Sequence, residues 1–224
     1  PNFDLKKRKK NQIKFIIFHY TGMKNEIEAI NKLTNQKSKV SCHYFIKKNG
    51  EILNLVPELY TAWHAGISFW KKYKLLNKNS IGIEISNPGH EYKYEKFSKK
   101  QINSVFRLSK LLIKKYKIKS SYILGHSDIS PDRKIDPGEK FPWRYFSKKK
   151  IGYWHNLSQN YLINKRNIEV DSEAKLNFIK NLYKIGYKKI NNVSIFKSTE
   201  LITSAFQRRF RQELVKASSN DSTK

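Results

Sequence analysis

Three short apolar runs, each ending on or beside a polar group, limit what this chain can become. They are FIIF within IKFIIFHY (13–20), IGIEI within SIGIEIS (80–86) and YIL within SYILGH (121–126). Each is too short for a self-burying helix and too apolar for a half-exposed strand, so each reads as a buried strand. Helix signals lie between them. KNEIEAINKLTN (24–35) carries Ile27, Ile30 and Leu33 at helical spacing. Ser98 with Gln101 forms a capping-box start, and the segment to about Tyr116 sets Ile102, Val105, Leu108, Leu112 and Ile113 on one side. CHYFIKKNGEILNLV (42–56) is a pair of strand-like runs around Asn49-Gly50, a hairpin signal. Strands alternating with helices, plus a hairpin, predict an α/β fold with a mixed central sheet flanked by helices.

The chemistry-bearing residues fall at the strand ends. His19 closes the first run, Glu84 lies late in the second, and His126 follows the third. In open α/β sheets functional groups gather at the carboxyl ends of strands, so these three can converge. The loop HSDISPDRKIDPG (126–138) packs one His, three Asp, an Arg and a Lys among turn formers. Two imidazoles and a carboxylate, His19, His126 and Asp136, are a donor set that leaves one position of a zinc ion open. Glu84 is then a candidate proton carrier and Lys134 a candidate oxyanion stabiliser. Asp128 reads as a residue that caps or orients the loop. Without an HExxH pattern, spacing alone leaves a metal centre and a merely polar loop both open.

Four segments carry a family resemblance: FIIFHYTG, SCHYFIKKNGEILNLVPELYTAWHAGIS, NSIGIEISNPG and LGHSDISPDRKIDPGEKFPW. Together they resemble the signature segments of the zinc-dependent N-acetylmuramoyl-L-alanine amidases of the second amidase family, which also includes peptidoglycan recognition proteins. The resemblance covers about residues 13–150. It implies one zinc ion per chain on His19, His126 and Asp136, with Glu84 as catalytic acid/base and Lys134 polarising the substrate carbonyl. It implies peptidoglycan or muropeptides as the partner. Tyr20, Thr21, His64 and Arg133 are candidate substrate contacts, His64 being as well suited to a structural role. All five metal and catalytic positions are filled, which disfavours the alternative of a non-catalytic recognition protein.

The formal net charge of +28 raises a nucleic-acid binder as a further alternative. Lys is spread through every segment rather than gathered on one face, and its rise together with Asn and Ile is what AT-rich coding produces, so no specific nucleic-acid partner is expected. The single cysteine, Cys42, lies in an apolar stretch and reads as a core residue.

The expected organisation is a basic lead-in (1–12), the catalytic domain (13–150), a linker (151–170) and a helical C-terminal segment (171–224). The elements before residue 150 look sufficient for a core, so a chain ending near 165 is expected to fold alone. The tail resembles the peptidoglycan-binding-like helices of the AmiD branch, and its cationic run Arg208, Arg209 and Arg211 is expected to help it contact the polymer. That module would include a third helix, and the sequence ends at ASSNDSTK, about where it should begin. The branch implies a periplasmic location, with outer-membrane association through an N-terminal lipid signal upstream of Pro1; a cytoplasmic location is the alternative.

Overall fold

The computed structural model describes residues 1–166, 168 and 171–215. In chain order the elements are β1 (Phe3–Asp4), β2 (Phe15–Tyr20), α1 (Glu26–Thr34), β3 (Tyr44–Ile46), β4 (Ile52–Asn54), β5 (Thr61–Ala62), β6 (Phe69–Trp70), β7 (Tyr73–Lys74), β8 (Ser80–Ile85), α2 (Lys99–Tyr116), β9 (Ile123–Gly125), α3 (His126–Ile129), α4 (Trp143–Lys148), α5 (Gln159–Asn164), α6 (Ser172–Ile185) and α7 (Ile195–Phe210). The central sheet has the order β4-β3-β8-β2-β9. Only the β3–β4 hairpin is antiparallel; β3, β8, β2 and β9 run parallel. This is the mixed sheet with flanking helices that the sequence predicts, and the three apolar runs form β2, β8 and β9.

Alternation along the strands divides the core into two faces. Ile16 and Phe18 of β2 and Ile81, Ile83 and Ile85 of β8 face α2, with Phe141, Trp143 and Phe146 completing that layer. Helix α2 begins where expected: Ser98 Oγ accepts from Gln101 N–H, and the Gln101 side chain accepts from Ser98 N–H. Phe15 and Ile17 of β2 and Leu124 of β9 face the other way, where they meet Leu182, Tyr187, Ile202 and Ala205. Further across the sheet, α1 sets Ala29 and Leu33 against Cys42 and Phe45, so Cys42 is a buried core residue. The polar stripe of His19 and Glu84 lies between these two apolar patches.

Three expectations are modified. Ile27 is 72% exposed, because the buried side of α1 runs through Ala29 and Leu33 and Ile27 lies roughly opposite it. Within the expected linker, Ile151 is buried in the first core layer and α5 buries Leu162 behind a Ser158 cap. The segment from α6 to α7 is not a separate body either. Its apolar side covers Phe15, Ile17 and Leu124, so a chain ending near 165 would lack the cover of one sheet face. The ASSNDSTK end lies outside the described residues. Among those residues no helix is long and apolar enough to cross a membrane.

Candidate active site

His19 is the fifth residue of β2, Glu84 the fifth of β8, and His126 follows β9 directly. The strands are parallel, so all three reach the same edge of the sheet. Asp136 arrives from the loop after α3, whose path is pinned by backbone bonds: Arg133 and Lys134 N–H donate to the Ser130 carbonyl, and Ser127 N–H donates to the Asp136 carbonyl at 2.9 Å. Among the described residues, His19, His126 and Asp136 are the one cluster that can hold a metal ion.

Hydrogen-bond roles fix which ring nitrogens are free. Ser80 Oγ–H donates to the Leu76 carbonyl at 2.6 Å, so its oxygen accepts from His64 Nε2–H at 3.0 Å. His64 Nδ1 must then accept, and its donor is His19 Nε2–H at 3.0 Å. That leaves His19 Nδ1 with its lone pair. His126 Nε2–H donates to the Ala65 carbonyl at 3.3 Å, which leaves its Nδ1 free in the same way. The two Nδ1 atoms lie 3.0 Å apart, and Asp136 Oδ2 is 3.0 and 3.1 Å from them. Two lone pairs and a carboxylate this close require a positive charge among them, a proton or a metal ion. Imidazole nitrogens whose other N–H is bound from behind, with one carboxylate, fit a divalent cation.

The electrostatics agree with that arrangement. Burial first, then the repulsion that a proton on His126 would exert, lowers His19 to about 4, so its ring is neutral near pH 7. Burial and the nearby His19 push His64 well below the ordinary histidine value, as its place in the chain of hydrogen bonds needs. Burial alone would raise Asp136, but its contacts with His126 and His19 outweigh that and hold it well below the carboxylate range. Glu84 goes the opposite way: burial first, then the Asp136 charge, pushes it well above the ordinary glutamate value, while Lys134 and Lys32 oppose the shift. Its Oε2 has no hydrogen-bond partner among the described residues. A carboxyl shifted upward and left free in a cleft is suited to taking and giving a proton.

These groups line a cleft of about 450 Å³, with Tyr20, Thr21, Trp63, Arg133 and Lys134 on its walls. The volume is in the range of small-molecule sites. Not every candidate contact is free to meet a ligand. Both ring nitrogens of His64 are committed to His19 and Ser80, which gives it a structural place at the cleft floor. The Thr21 hydroxyl donates to the Asn87 carbonyl and accepts from Asn87 N–H, joining the ends of β2 and β8. Tyr20 bonds His90, and Arg133 is braced on Ile67 and Ser130 at the rim.

Comparison with known proteins agrees with the site. The family model described as N-acetylmuramoyl-L-alanine amidase matches residues 9–139. The chain belongs to this amidase family. It is 34% identical over 218 residues to N-acetylmuramoyl-L-alanine amidase AmiD of Escherichia coli (strain K12), covering 91% of this chain and 76% of AmiD. The structure of Escherichia coli AmiD with the substrate anhydro-N-acetylmuramic acid-L-Ala-D-gamma-Glu-L-Lys superposes with a TM-score of 0.77 at 33% identity, covering 91% of this chain and 82% of that one. AmpDh3 of Pseudomonas aeruginosa with an anhydromuramic pentapeptide gives 0.78 at 28% identity, covering 93% and 86%. Both alignments run past the family model's segment into the tail helices.

Two groups of this amidase escape a sequence reading. His90, which no motif above singles out, bridges Tyr20 and Glu139 at the cleft edge through its two ring nitrogens. Arg209, within the apparent surface run Arg208–Arg211, is 3% exposed and pairs with Asp128. No local signal marks either one, because each is defined by partners far along the chain.

Proposed function

We infer that this amidase is a zinc enzyme that hydrolyses the amide between the lactyl group of N-acetylmuramic acid and the L-alanine of the stem peptide. The observation that supports this most is the meeting of His19 Nδ1, His126 Nδ1 and Asp136 Oδ2 at 3.0–3.1 Å. His19, His126 and Asp136 would hold the zinc, which when bound supplies a Lewis acid for the carbonyl and acidifies water. Glu84 accepts the proton from the attacking water and returns it to the departing alanine nitrogen, so the C–N bond breaks to an acid and an amine, and the acid's proton passes to the amine to leave a carboxylate and an ammonium group. Lys134 places its charge beside the oxygen on which negative charge builds. Muropeptides such as those bound by AmiD and AmpDh3 are the expected substrates.

On this reading residues 13–150 carry the chemistry and the tail packs behind it. The likeness to AmiD along the tail supports work in the periplasm; cell fractionation tests this, and recovery in the cytosol would overturn it. The reaction is tested by metal analysis and mass spectrometry of a digested muropeptide. The expected result is one zinc per chain and release of an intact peptide with a free L-alanine amine. Asp136→Ala should lose both zinc and turnover. Full zinc in that variant removes Asp136 from the site, and binding without cleavage by the zinc-loaded wild type makes the protein a recognition module.

A further inference from the structure

Asp128 is 1% exposed and lies two residues beyond His126 in α3. A buried carboxylate is unfavourable unless its oxygens are bonded and a countercharge is near. Residues 59 and 81 positions away supply both conditions. Tyr187 Oη donates to Asp128 Oδ1 at 2.7 Å, and Arg209 Nη1 donates to Oδ2 at 2.6 Å. The Gly125 N–H, at the start of α3, donates to the same Oδ2 at 2.8 Å. Arg209 also gives Nη2 to the Ile123 carbonyl at 3.1 Å, and its guanidinium carbon lies 4.0 Å from the centre of a Trp143 ring. One guanidinium therefore bridges the strand that precedes His126 and the carboxylate that follows it.

Helix α3 has only four residues, too few to hold its own geometry. It carries His126, and its Ser127 N–H ties down the Asp136 backbone at 2.9 Å. Whatever orients α3 orients both of these candidate ligands. A buried ion pair is a weak way to stabilise a core compared with apolar packing, but hydrogen bonds to a carboxylate are directional. The Arg209 Nε, without a partner among the described residues, adds to the cost of having a charge here at all.

We propose that Arg209 and Tyr187 are positioning residues of the metal centre: acting through Asp128, they fix α3 and so hold His126 and Asp136 where the metal needs them. This rests on the metal-dependent reading above, and it gives the tail helices a part in the chemistry besides any contact with the polymer.

The test uses the full chain and four variants: Arg209→Met, Arg209→Lys, Tyr187→Phe and Ile202→Ala. Zinc affinity is measured by competition with a chromophoric chelator, well below each unfolding midpoint, alongside kcat on a soluble muropeptide. Arg209→Met should weaken zinc binding about 10–100-fold, the scale for residues that support a ligand. Tyr187→Phe should weaken it less, and Arg209→Lys should recover part of the Arg209→Met loss, since the charge returns without the fork. Ile202→Ala, at a fully buried site in the same apolar cluster, should lower the midpoint and leave zinc affinity alone. Unchanged zinc affinity in the Arg209 and Tyr187 variants, or an equal loss in Ile202→Ala, overturns the proposal. If Arg209→Met does not fold, Tyr187→Phe and Arg209→Lys decide it. A wild-type chain that binds no zinc refutes the metal reading and the proposal together, whereas zinc binding indifferent to the clamp refutes the proposal alone.

Discussion

His19 and Glu84 are register partners on adjacent parallel strands, β2 beside β8. Paired residues project from the same face, so the candidate ligand and the candidate proton carrier leave the sheet side by side. Two and four residues before Glu84 on that face come Gly82 and Ser80. Gly82 is the slot in which the His64 ring lies: a Cβ there would come within 2.3 Å of His64 Cγ. Ser80 is the base of the hydrogen-bond chain that frees His19 Nδ1. One six-residue strand thus provides an anchor, a gap and a candidate acid/base in line.

The acid/base role predicts both rate and stability. Glu84→Gln should keep zinc and lower turnover about 10²–10⁴-fold. Because burial and the Asp136 charge raise the native Glu84 above its unfolded value, its protonated form is the one the fold favours. That contribution is full below the unfolded value of about 4.3 and is lost as pH rises through the native one. The zinc-free Gln variant should therefore gain thermal stability over the wild type as pH rises toward neutral, with no gain in acid. Midpoints measured across pH check this, and a pH-independent difference would contradict a raised carboxyl.

Lys134 opposes the upward shift of Glu84, so its removal should be felt twice. Lys134→Ala should keep zinc and lose about 10²–10³ in kcat, the scale for one oxyanion stabiliser. The acid limb of its kcat/KM profile should also move to higher pH, because Glu84 loses a cation that favours its charged form. A lower rate with an unmoved limb would separate Lys134 from Glu84.

The strands, the hairpin and α2 were legible because their signals are local: apolar runs, Asn49-Gly50, and the Ser98 cap. The meeting of the candidate residues His19, Glu84, His126 and Asp136 at one cleft was foreshadowed by strand ends and by motif-bearing segments. What sequence patterns missed depends on distant partners. The bonding of His64 is set by the missing side chain at Gly82 and the hydroxyl of Ser80, neither of which periodicity reveals. Arg209 lies in a run with Arg208 and Arg211, both less buried, and only its approach to Asp128, 81 positions away, marks it as buried. Ile27 fits helical spacing, yet the side of α1 that is covered is decided by Cys42 and Phe45.

The chain of hydrogen bonds behind His19 can be broken at either end. Ser80→Ala removes the acceptor for His64 Nε2–H and should weaken zinc about 10–100-fold with little change in fold. Gly82→Ala drives a methyl into the buried His64 ring and should destabilise by about 1–3 kcal/mol as well as weaken zinc. Calorimetric midpoints with zinc titrations separate the two effects. Normal zinc affinity in both variants would show that the tautomer of His19 does not depend on His64.

The tail gives the sharpest contrast between an attached module and a structural wall. A chain ending at residue 165 uncovers Phe15, Ile17, Leu124 and Ile129, which share a buried cluster with Leu182, Ile202 and Ala205. Fully exposing four such side chains would cost about 6–12 kcal/mol, close to the whole stability of a typical domain. Residues between Ala65 and Leu76 belong to the same cluster and would keep part of that cover, so the loss should be smaller but still several kcal/mol. The truncation also strips Asp128 of its bonds to Arg209 and Tyr187. The shortened chain should therefore melt far lower, bind zinc poorly, and lose activity on small soluble muropeptides as much as on insoluble peptidoglycan. An appended binding module predicts otherwise: full activity on soluble substrate and a loss confined to the polymer, through the lost second contact. Running both substrates on both chains below the lower midpoint distinguishes the two, and selective loss on the polymer would show that the packing of α6 and α7 against the sheet is dispensable for catalysis.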